Sequence, residues 1–410
     1  MGLLPSIALP SKDTIKKRCT TLEAWALPKQ DSTIAPDYVW TNKDMDPVPV
    51  EDQTWSMWTW VAYWATDMIN LGTWETASSI IQVGLTWRDA IPIMAVGTLC
   101  VAIPVVLNGA IGAHLHAPFS VIVRSGFGYY FAYFAIASRC ILAMFWLGIQ
   151  SANGALAMQV MLMAIWPSFA SYDWNGPNNT LPRSGGISTA GMIAYFLFWL
   201  IQLPLLLIPP TRLRYLFIIK LIAAPITAFA TLGYMIHKAG GTGAIFSQPG
   251  TATGETRIYL WLSCMSSVTG VWATLACNIP DFSRYAKGRA DGKTNYAQYI
   301  QLPVLPIIFT LCGALGVITT SASKVVYGEF YWNPLDIVAQ WLNNGSAGRA
   351  AAFFAALSWY IAQVGTNITA NSISAANDMC VMAPRYINIK RGCVIAAVVS
   401  CWMPQCRNLC

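Results

Sequence analysis

The chain has 410 residues, of which 55% are hydrophobic and only 10% are charged, and its mean hydropathy is +0.48. A soluble domain carries about 25% charged residues. This composition has too few of them to cover a surface that faces water, so it predicts an integral membrane protein. The 25 basic and 18 acidic residues give a net charge of +7, which in a membrane protein reports topology. No basic patch interleaved with aromatic residues occurs, so we expect no nucleic-acid partner.

Nine apolar segments can cross the hydrocarbon of a lipid bilayer, which takes about 20 residues of helix. A polar cytoplasmic N-terminal tail, 1–54, precedes them, and we expect little order in it. The transmembrane domain is predicted at 55–404, and residues 405–410 form a divergent tail. The predicted spans are 55–80, 90–112, 127–165, 187–208, 212–237, 256–278, 299–320, 350–381 and 390–404.

Lysine and arginine are distributed unequally between the loops, and this asymmetry predicts the topology. The basic side comprises the N-terminal tail and the loops after the fourth, sixth and eighth spans, with Lys12, Lys16, Lys17, Arg18, Arg212, Arg214, Arg284, Lys287, Arg289, Lys293, Arg385, Lys390 and Arg391. The positive-inside rule therefore predicts a cytoplasmic N-terminus in a multi-pass protein, which we expect in the plasma membrane. Glycosylation sequons at Asn178 and Asn344 fall in loops that this topology places outside.

The first span carries a large polar load in the stretch AYWATDMINLGTWETASS. Gly72 weakens a helix by about 1 kcal/mol relative to alanine, and the side chain of Asn70 can bond backbone groups that a break frees. We therefore predict that the span unwinds near Asn70–Gly72. Asp67 and Glu75 should then face a polar interior, because a charge that faces lipid costs several kcal/mol. The alternative is a continuous helix that packs its polar face on neighbouring helices.

The sixth span, LSCMSSVTGVWATLACNIPDFSRY, holds a second group of polar and small residues, five spans after the first. Ser266, Ser267, Thr269 and Gly270 lie in its middle, and Pro280 follows. Inverted-repeat transporters pair two interrupted helices to form their substrate and ion sites. The two polar spans therefore predict two breaks and a five-plus-five inverted repeat, which neither a channel nor a simple receptor requires.

Two further spans are polar on one face. Trp146 and Gln150 of the third span share a helix face, where an indole can stack on a flat ring and an amide can bond its polar edge. Packing without a ligand is the alternative for this pair. A polar load within lipid is costly unless it binds something. The eighth span carries such a stripe at Gln363, Thr366, Asn367 and Asn371.

Five motifs between Asn42 and Gly392 carry a resemblance to a known family. They read NKDMDPVP, TWSMWTWVAYWATDMINLGTWETASSIIQVGLTW, LNGAIGAHLHAPFSVIVRSGFG, FWLGIQ and NIPDFSRYAKG. With them the chain resembles the nucleobase–cation symporter-1 family, above all its eukaryotic branch of uracil, allantoin, uridine, thiamine and nicotinamide riboside permeases. The resemblance implies an all-α membrane protein with the LeuT-like inverted repeat of five plus five helices, here with about nine spans.

The resemblance also implies which residues bind the substrate and the cation. Trp146 would stack on the substrate ring, and Gln150 would bond it. Asn371 takes the position of the family's substrate-binding asparagine, and Trp272 would supply the opposite stacking face. The cation-binding positions correspond to Ala362, Gly365 and Thr366.

The coupling cation follows from the residue at one of these positions. A serine that is common in sodium-coupled members of the family corresponds to Gly365, so one oxygen ligand for sodium is missing. We therefore expect coupling to a proton, with Asp67 and Glu75 as the candidate titrating groups. Sodium is the alternative cation.

The C-terminus departs from the family's pattern. After KRGCVIAAVVS the family continues through further helices, whereas this chain ends CWMPQCRNLC. We therefore expect a truncated second repeat, and a fragment that does not transport on its own is one alternative function.

The leading hypothesis is a symporter that imports a nucleobase or related heterocycle, such as uracil, allantoin or uridine, with a cation. A thiamine or nicotinamide riboside permease is the alternative within the same class. We expect no enzyme, because the sequence contains no nucleophile–base pair, HExxH, P-loop or GxGxxG motif. We expect no cofactor or metal either, because the cysteines are scattered singly without a CxxC pair.

Overall fold

The structure is a computed structural model that describes residues 12–32, 35–36, 38–208, 214–288 and 296–401. Within these ranges the regular structure is helical, and the backbone pairs in β-fashion only at an isolated bridge between Trp55 and Ala286. The predicted divergent tail, 405–410, lies outside the described residues.

The described residues form sixteen α-helices. The first eight are α1 (Lys12–Thr20), α2 (Met57–Met68), α3 (Leu71–Gln82), α4 (Trp87–Leu115), α5 (Phe119–Phe127), α6 (Ala132–Ile165), α7 (Thr189–Leu206) and α8 (Arg214–Lys238). The next eight are α9 (Gly243–Phe246), α10 (Gly254–Asn278), α11 (Pro280–Ser283), α12 (Gln301–Tyr327), α13 (Pro334–Gln340), α14 (Gly345–Thr366), α15 (Ile373–Met382) and α16 (Ile389–Ser400). A π-helical segment, Asn367–Ser372, joins α14 to α15.

Six stretches among the described residues are long and apolar enough to cross a membrane, and they match the second to seventh predicted spans. They are Trp87–Leu115, Ala132–Ile165, Arg183–Leu206, Tyr215–Lys238, Gly254–Asn278 and Tyr296–Tyr327. The first predicted span is divided between α2 and α3, the π-helical segment interrupts the eighth, and α16 covers only 12 residues of the ninth. The count of nine spans therefore stays a prediction.

The first span is broken at Ile69 and Asn70, as the sequence predicts. The Oδ1 atom of Asn70 accepts a hydrogen bond from the backbone N–H of Thr73 at 2.9 Å, and its Nδ2 donates to the carbonyl of Asp67 at 2.5 Å. One amide thus satisfies backbone groups on both sides of the break, which a bilayer interior requires. Gly72, expected in the unwound segment, lies in the first turn of α3 instead.

The second break, expected at Ser266–Gly270 in the sixth span, is not there, because α10 runs through this segment without interruption. The hydroxyl of Thr269 lies 2.9 Å from the carbonyl of Gly97 in α4 and 3.0 Å from that of Met265, one turn earlier. A polar side chain that bonds carbonyls in this way is compatible with a continuous helix. The helix ends only before Pro280, which lacks a backbone N–H.

The helices pack as two groups with α3 between them. The first group comprises α2, α4, α10 and α12, and the second comprises α6, α7 and α14–α16. Trp74 of α3 belongs to the core of the second group, whereas Ala77 and Ile80 belong to that of the first. Helix α8 contacts both α12 and α14. The broken span therefore lies where the two groups meet.

Part of the N-terminal tail packs against one end of the helices, whereas the expectation of little order in the tail stays a prediction. The backbone N–H of Val48 donates to the carbonyl of His116, just after α4, and Met45 packs with Ile136 near the start of α6. Helix α6 is 34 residues long, so the loop that follows it lies at the opposite end. That loop carries the exposed sequon residue Asn178.

The broken span generates the first prediction. Asn70→Ala removes the cap of α3, which costs about 1 kcal/mol of unfolding free energy, and leaves the buried carbonyl of Asp67 without its partner, which costs about 1–3 kcal/mol more. We expect a lower midpoint of thermal unfolding in detergent. Asn388→Ala is the matched control, because it removes only the cap of α16. An equal loss in both variants would contradict a special role for Asn70.

Candidate functional site

A cavity of about 960 Å³ lies beside the break between α2 and α3. Residues of α3, α6, α10 and the π-helical segment line it, together with loop residues. The structure brings together at this cavity the four side chains that the resemblance implies for substrate binding, namely Trp146, Gln150, Trp272 and Asn371. Their roles as ligands stay predictions.

The cavity extends toward the loop between α6 and α7, at the end of the helices opposite the N-terminal tail. Asp173 and Ser188, from the loop between α6 and α7, and Asp336 of α13 line its outer part. Toward the tail, Nδ2 of Asn278 donates to Oγ of Ser374 at 2.9 Å and joins α10 to α15. Arg139 of α6 pairs with Asp378 of α15 on the same side. These contacts join α10 and α6 to α15 at the end of the helices that lies toward the tail.

Aromatic rings form two walls of the cavity. Trp146 on α6 is half-buried, whereas Trp272 on α10 is buried. The ring of Trp272 is fixed from behind by Trp64 of α2, because the two rings meet edge to face with centroids 5.8 Å apart. Two indoles of this kind can hold a flat ring between or against their faces.

Two amides in the cavity wall are bonded from behind by buried amides. Nε2 of Gln363 donates to Oε1 of Gln150 at 2.5 Å, and Nδ2 of Asn371 donates to Oδ1 of Asn367 at 3.0 Å. Gln363 and Asn367 are fully buried. The sequence places both in the polar stripe of the eighth span, but it does not show that they contact Gln150 and Asn371.

The two candidate titrating carboxylates occupy different places. Glu75 lines the cavity, and its oxygens accept hydrogen bonds from Nδ2 of Asn153 at 2.8 Å and from Nδ2 of Asn333 at 2.7 Å. Asp67 is fully buried at the end of α2 and accepts from the hydroxyl of Thr369 at 2.6 Å. Both carboxylates are therefore in polar surroundings, as the sequence predicts.

A lysine lies among the residues of the expected cation site. Nζ of the buried Lys220, on α8, donates to Oγ1 of Thr366 at 2.8 Å, and that hydroxyl donates to the carbonyl of Ala362 at 3.1 Å. A Cβ added to Gly365 would lie 2.8 Å from Cδ of Lys220, so the lysine stem fills the space where a serine side chain would begin. A tethered ammonium thus sits at the predicted cation-binding positions.

The sequence analysis missed Lys220, although a signal was present. The residue lies in the apolar run FIIKLIAAP within the fifth predicted span. An ionisable residue inside a membrane span is costly and marks a functional site by default. The partners of the lysine could not be found in the same way, because Thr366 lies 146 residues further along the chain.

A broken helix that borders a polar and aromatic cavity between two helix groups is the arrangement of a secondary transporter. A sequence profile of the family described as "Permease for cytosine/purines, uracil, thiamine, allantoin" matches residues 47–405. The chain therefore belongs to this permease family.

Individual relatives agree with this assignment. An uncharacterised permease of Schizosaccharomyces pombe is 34% identical over 361 residues, and the uracil permease of Saccharomyces cerevisiae is 32% identical over 372 residues. The allantoin permease of Bacillus subtilis is 30% identical over 364 residues. Each alignment covers 88% of this chain, but they cover 62%, 56% and 70% of the three relatives, respectively. The chain thus spans about three-fifths of the length of the two yeast relatives, and all three are permeases rather than enzymes.

Solved structures share the fold. Mhp1, described as a nucleobase-cation-symport-1 family transporter in a closed conformation with bromovinylhydantoin bound, matches with a TM-score of 0.69 at 20% identity, over 88% of this chain and 74% of Mhp1. The inward-facing conformation of Mhp1 matches with a TM-score of 0.70 at 19% identity, over 91% and 75%. The LeuT-like all-α fold is therefore confirmed.

The cavity generates a prediction for Trp146. Trp146→Ala should lower the affinity for a flat heterocycle by about tenfold or more, because it removes both apolar area and a stacking face, whereas Trp146→Phe should keep part of the affinity. Equilibrium binding to the purified protein measures the effect. Trp58→Ala is the control, since Trp58 is 72% exposed on α2. Unchanged binding in Trp146→Ala would overturn the assignment of this wall.

Proposed function

We propose that the protein is a secondary active transporter that carries a nucleobase or a related flat heterocycle, such as uracil, allantoin or uridine, together with a proton. The observation that carries this proposal is the cavity at the broken span, where Trp146, Trp272, Gln150 and Asn371 offer two ring faces and two amides. Relatives described as uracil, allantoin and uridine permeases support this class of substrate.

The proposed orientation in the membrane rests on the place of the cavity in the fold, whereas uptake is proposed from the described permease relatives. The cavity extends to loops at the end of the helices opposite the N-terminal tail, and the basic loops assign that tail to the cytoplasm. Asn344, the second predicted sequon residue, is exposed in the loop before α14, and the neighbouring helix α13 lines the cavity. We therefore assign residues 1–54 to a cytoplasmic tail and 55–404 to a transporter domain in the plasma membrane, and the cavity to the uptake side.

The coupling ion is inferred from the charge at the cation site. Lys220 places an ammonium against Thr366, where a sodium ion would meet like-charge repulsion and no side-chain oxygen from Gly365. Asp67 bonds Thr369, one turn after Thr366, so an acid and a base are attached to consecutive turns of one helix. Such a pair can bind and release a proton as its surroundings change. Glu75 is the second candidate acid.

A positively charged ring is the second candidate substrate. Glu75, Asp173 and Asp336 give the cavity wall three carboxylates. Carboxylates and indole faces both attract cations. A thiamine transporter and a nicotinamide riboside transporter of Saccharomyces cerevisiae are also among the relatives, at 32% and 30% identity.

Uptake assays test the proposal directly. Cells that lack their own permeases should, when they express the protein, take up at least one labelled ring from uracil, allantoin, uridine, thiamine and nicotinamide riboside. Uptake should be saturable, should continue without external sodium, and should stop when a protonophore collapses the proton gradient. No uptake of any ring at normal surface abundance would contradict the proposal, and strict dependence on sodium would contradict the coupling ion.

A variant of Lys220 tests the coupling site. Lys220→Met should retain binding of the transported ring but lose its accumulation against a gradient, because the tethered charge is gone. Lys238→Met is the control, since Lys238 is exposed at the end of α8. Normal accumulation by Lys220→Met would show that the proton is carried elsewhere.

A further inference from the structure

Two buried chains of hydrogen bonds end at the cavity, one on the amide of Gln150 and one on the amide of Asn371. Each chain begins at a backbone group whose hydrogen-bonding role is fixed. A backbone N–H can only donate and a backbone carbonyl can only accept, so the direction of every bond along each chain follows from its start.

The first chain begins at the broken span. The backbone N–H of Leu71, the first residue of α3, donates to Oε1 of Gln363 at 3.3 Å. The amide nitrogen of Gln363 is therefore the atom that faces α6, and it donates to Oε1 of Gln150 at 2.5 Å. Because the oxygen of Gln150 is occupied, its NH₂ group is left for the cavity.

The second chain begins inside α6. The hydroxyl of Ser151 donates to the carbonyl of Leu147 at 2.7 Å, so its oxygen accepts from Nδ2 of Asn367 at 3.1 Å. Oε1 of Gln202 accepts from the same nitrogen at 2.8 Å. Oδ1 of Asn367 then accepts from Nδ2 of Asn371, and the side-chain Oδ1 of Asn371 faces the cavity.

Both cavity-facing atoms are available for a ligand. In the part of the chain that the structure describes, no residue accepts a hydrogen bond from Nε2 of Gln150 and none donates to Oδ1 of Asn371. An amide that could rotate would offer either atom to a ligand. The buried partners prevent that rotation, because turning either amide would face two donors or two acceptors toward each other.

We propose that Gln363 and Asn367 are positioning residues that set opposite hydrogen-bonding polarity in the two substrate amides, so that Gln150 offers a donor and Asn371 offers an acceptor. The ligand is then a flat heterocycle whose edge carries both an acceptor and an N–H donor, and rings with two donors or two acceptors are rejected. This inference rests on the proposed substrate site, and it adds the two residues that give that site its selectivity.

Three rings of nearly equal shape test the polarity of each amide. 2-Pyridone carries a carbonyl beside an N–H, protonated 2-aminopyridine carries two donors, and 2-methoxypyridine carries two acceptors. Their affinities for the purified protein can be measured by titration of tryptophan fluorescence, at one pH at which the aminopyridine is protonated. The wild-type protein should prefer 2-pyridone over 2-methoxypyridine. The carboxylates of the cavity attract the charged aminopyridine in every variant, so its affinity relative to 2-pyridone is compared between each variant and the wild-type protein.

Two variants should change two different preferences. In Gln363→Met the amide of Gln150 can turn its oxygen to the cavity, so the preference for 2-pyridone over protonated 2-aminopyridine should fall by about tenfold or more. In Asn367→Leu the amide of Asn371 can turn its nitrogen to the cavity, so the preference for 2-pyridone over 2-methoxypyridine should fall instead. A merely structural role would lower the affinity for all three rings alike and leave both affinity ratios unchanged.

The control is Gln298→Met, which replaces an equally buried glutamine in the short helical turn before α12 and outside the cavity lining. It should leave both ratios at their wild-type values. If Gln363→Met or Asn367→Leu fails to fold, the other variant still tests the affinity ratio that its own amide controls. Unchanged affinity ratios in a folded variant would overturn the positioning role of Gln363 or Asn367 while leaving the heterocycle site intact. No binding of any ring by the wild-type protein would overturn the site itself and, with it, the positioning role.

Discussion

The interruption of a helix within a membrane domain is the constraint on which the rest of this structure depends. The backbone N–H and C=O groups at Ile69–Leu71 lose their helical hydrogen bonds and need other partners, since each unsatisfied group costs several kcal/mol within lipid. Asn70 satisfies the groups on either side of the break, and Gln363 accepts from the N–H of Leu71. The same Gln363 holds Gln150. One side chain thus both accepts from a backbone N–H at the break and bonds an amide of the cavity wall.

Buried charge is organised around the same break. Asp67, in the last turn of α2, and Lys220, on α8, are both buried. Asp67 bonds Thr369 and Lys220 bonds Thr366, so both charged side chains are attached to one short stretch of helix. Enclosure of an acid and a base near a broken helix makes their protonation sensitive to any movement of α2 or α8. Thr366 also contributes to the lining of the cavity. Ring binding and proton binding thus share one helix segment in the proposed mechanism.

Local chemistry in the sequence was enough to predict the first break, because Asn70 acts on neighbouring residues. The prediction of a second break at Ser266–Gly270 was wrong, since sequence cannot tell whether a hydroxyl lacks a backbone partner or, like that of Thr269, finds one on a neighbouring helix. The family resemblance identified the four residues that the fold brings to the cavity. The sequence could not identify the buried partners of these residues. Gln150 and Gln363, for example, are 213 residues apart and meet only because α6 packs on α14.

The central claim is that the cavity beside the broken span holds a flat heterocycle. The most direct measurement is a cryo-electron microscopy structure of the protein with a saturating concentration of the ring that it binds best. The account predicts density for the ring against the indole of Trp146, with its polar edge within hydrogen-bond distance of Nε2 of Gln150 and Oδ1 of Asn371. Density elsewhere, for example among the outer residues Asp173 and Trp174, with this part of the cavity empty, would contradict it.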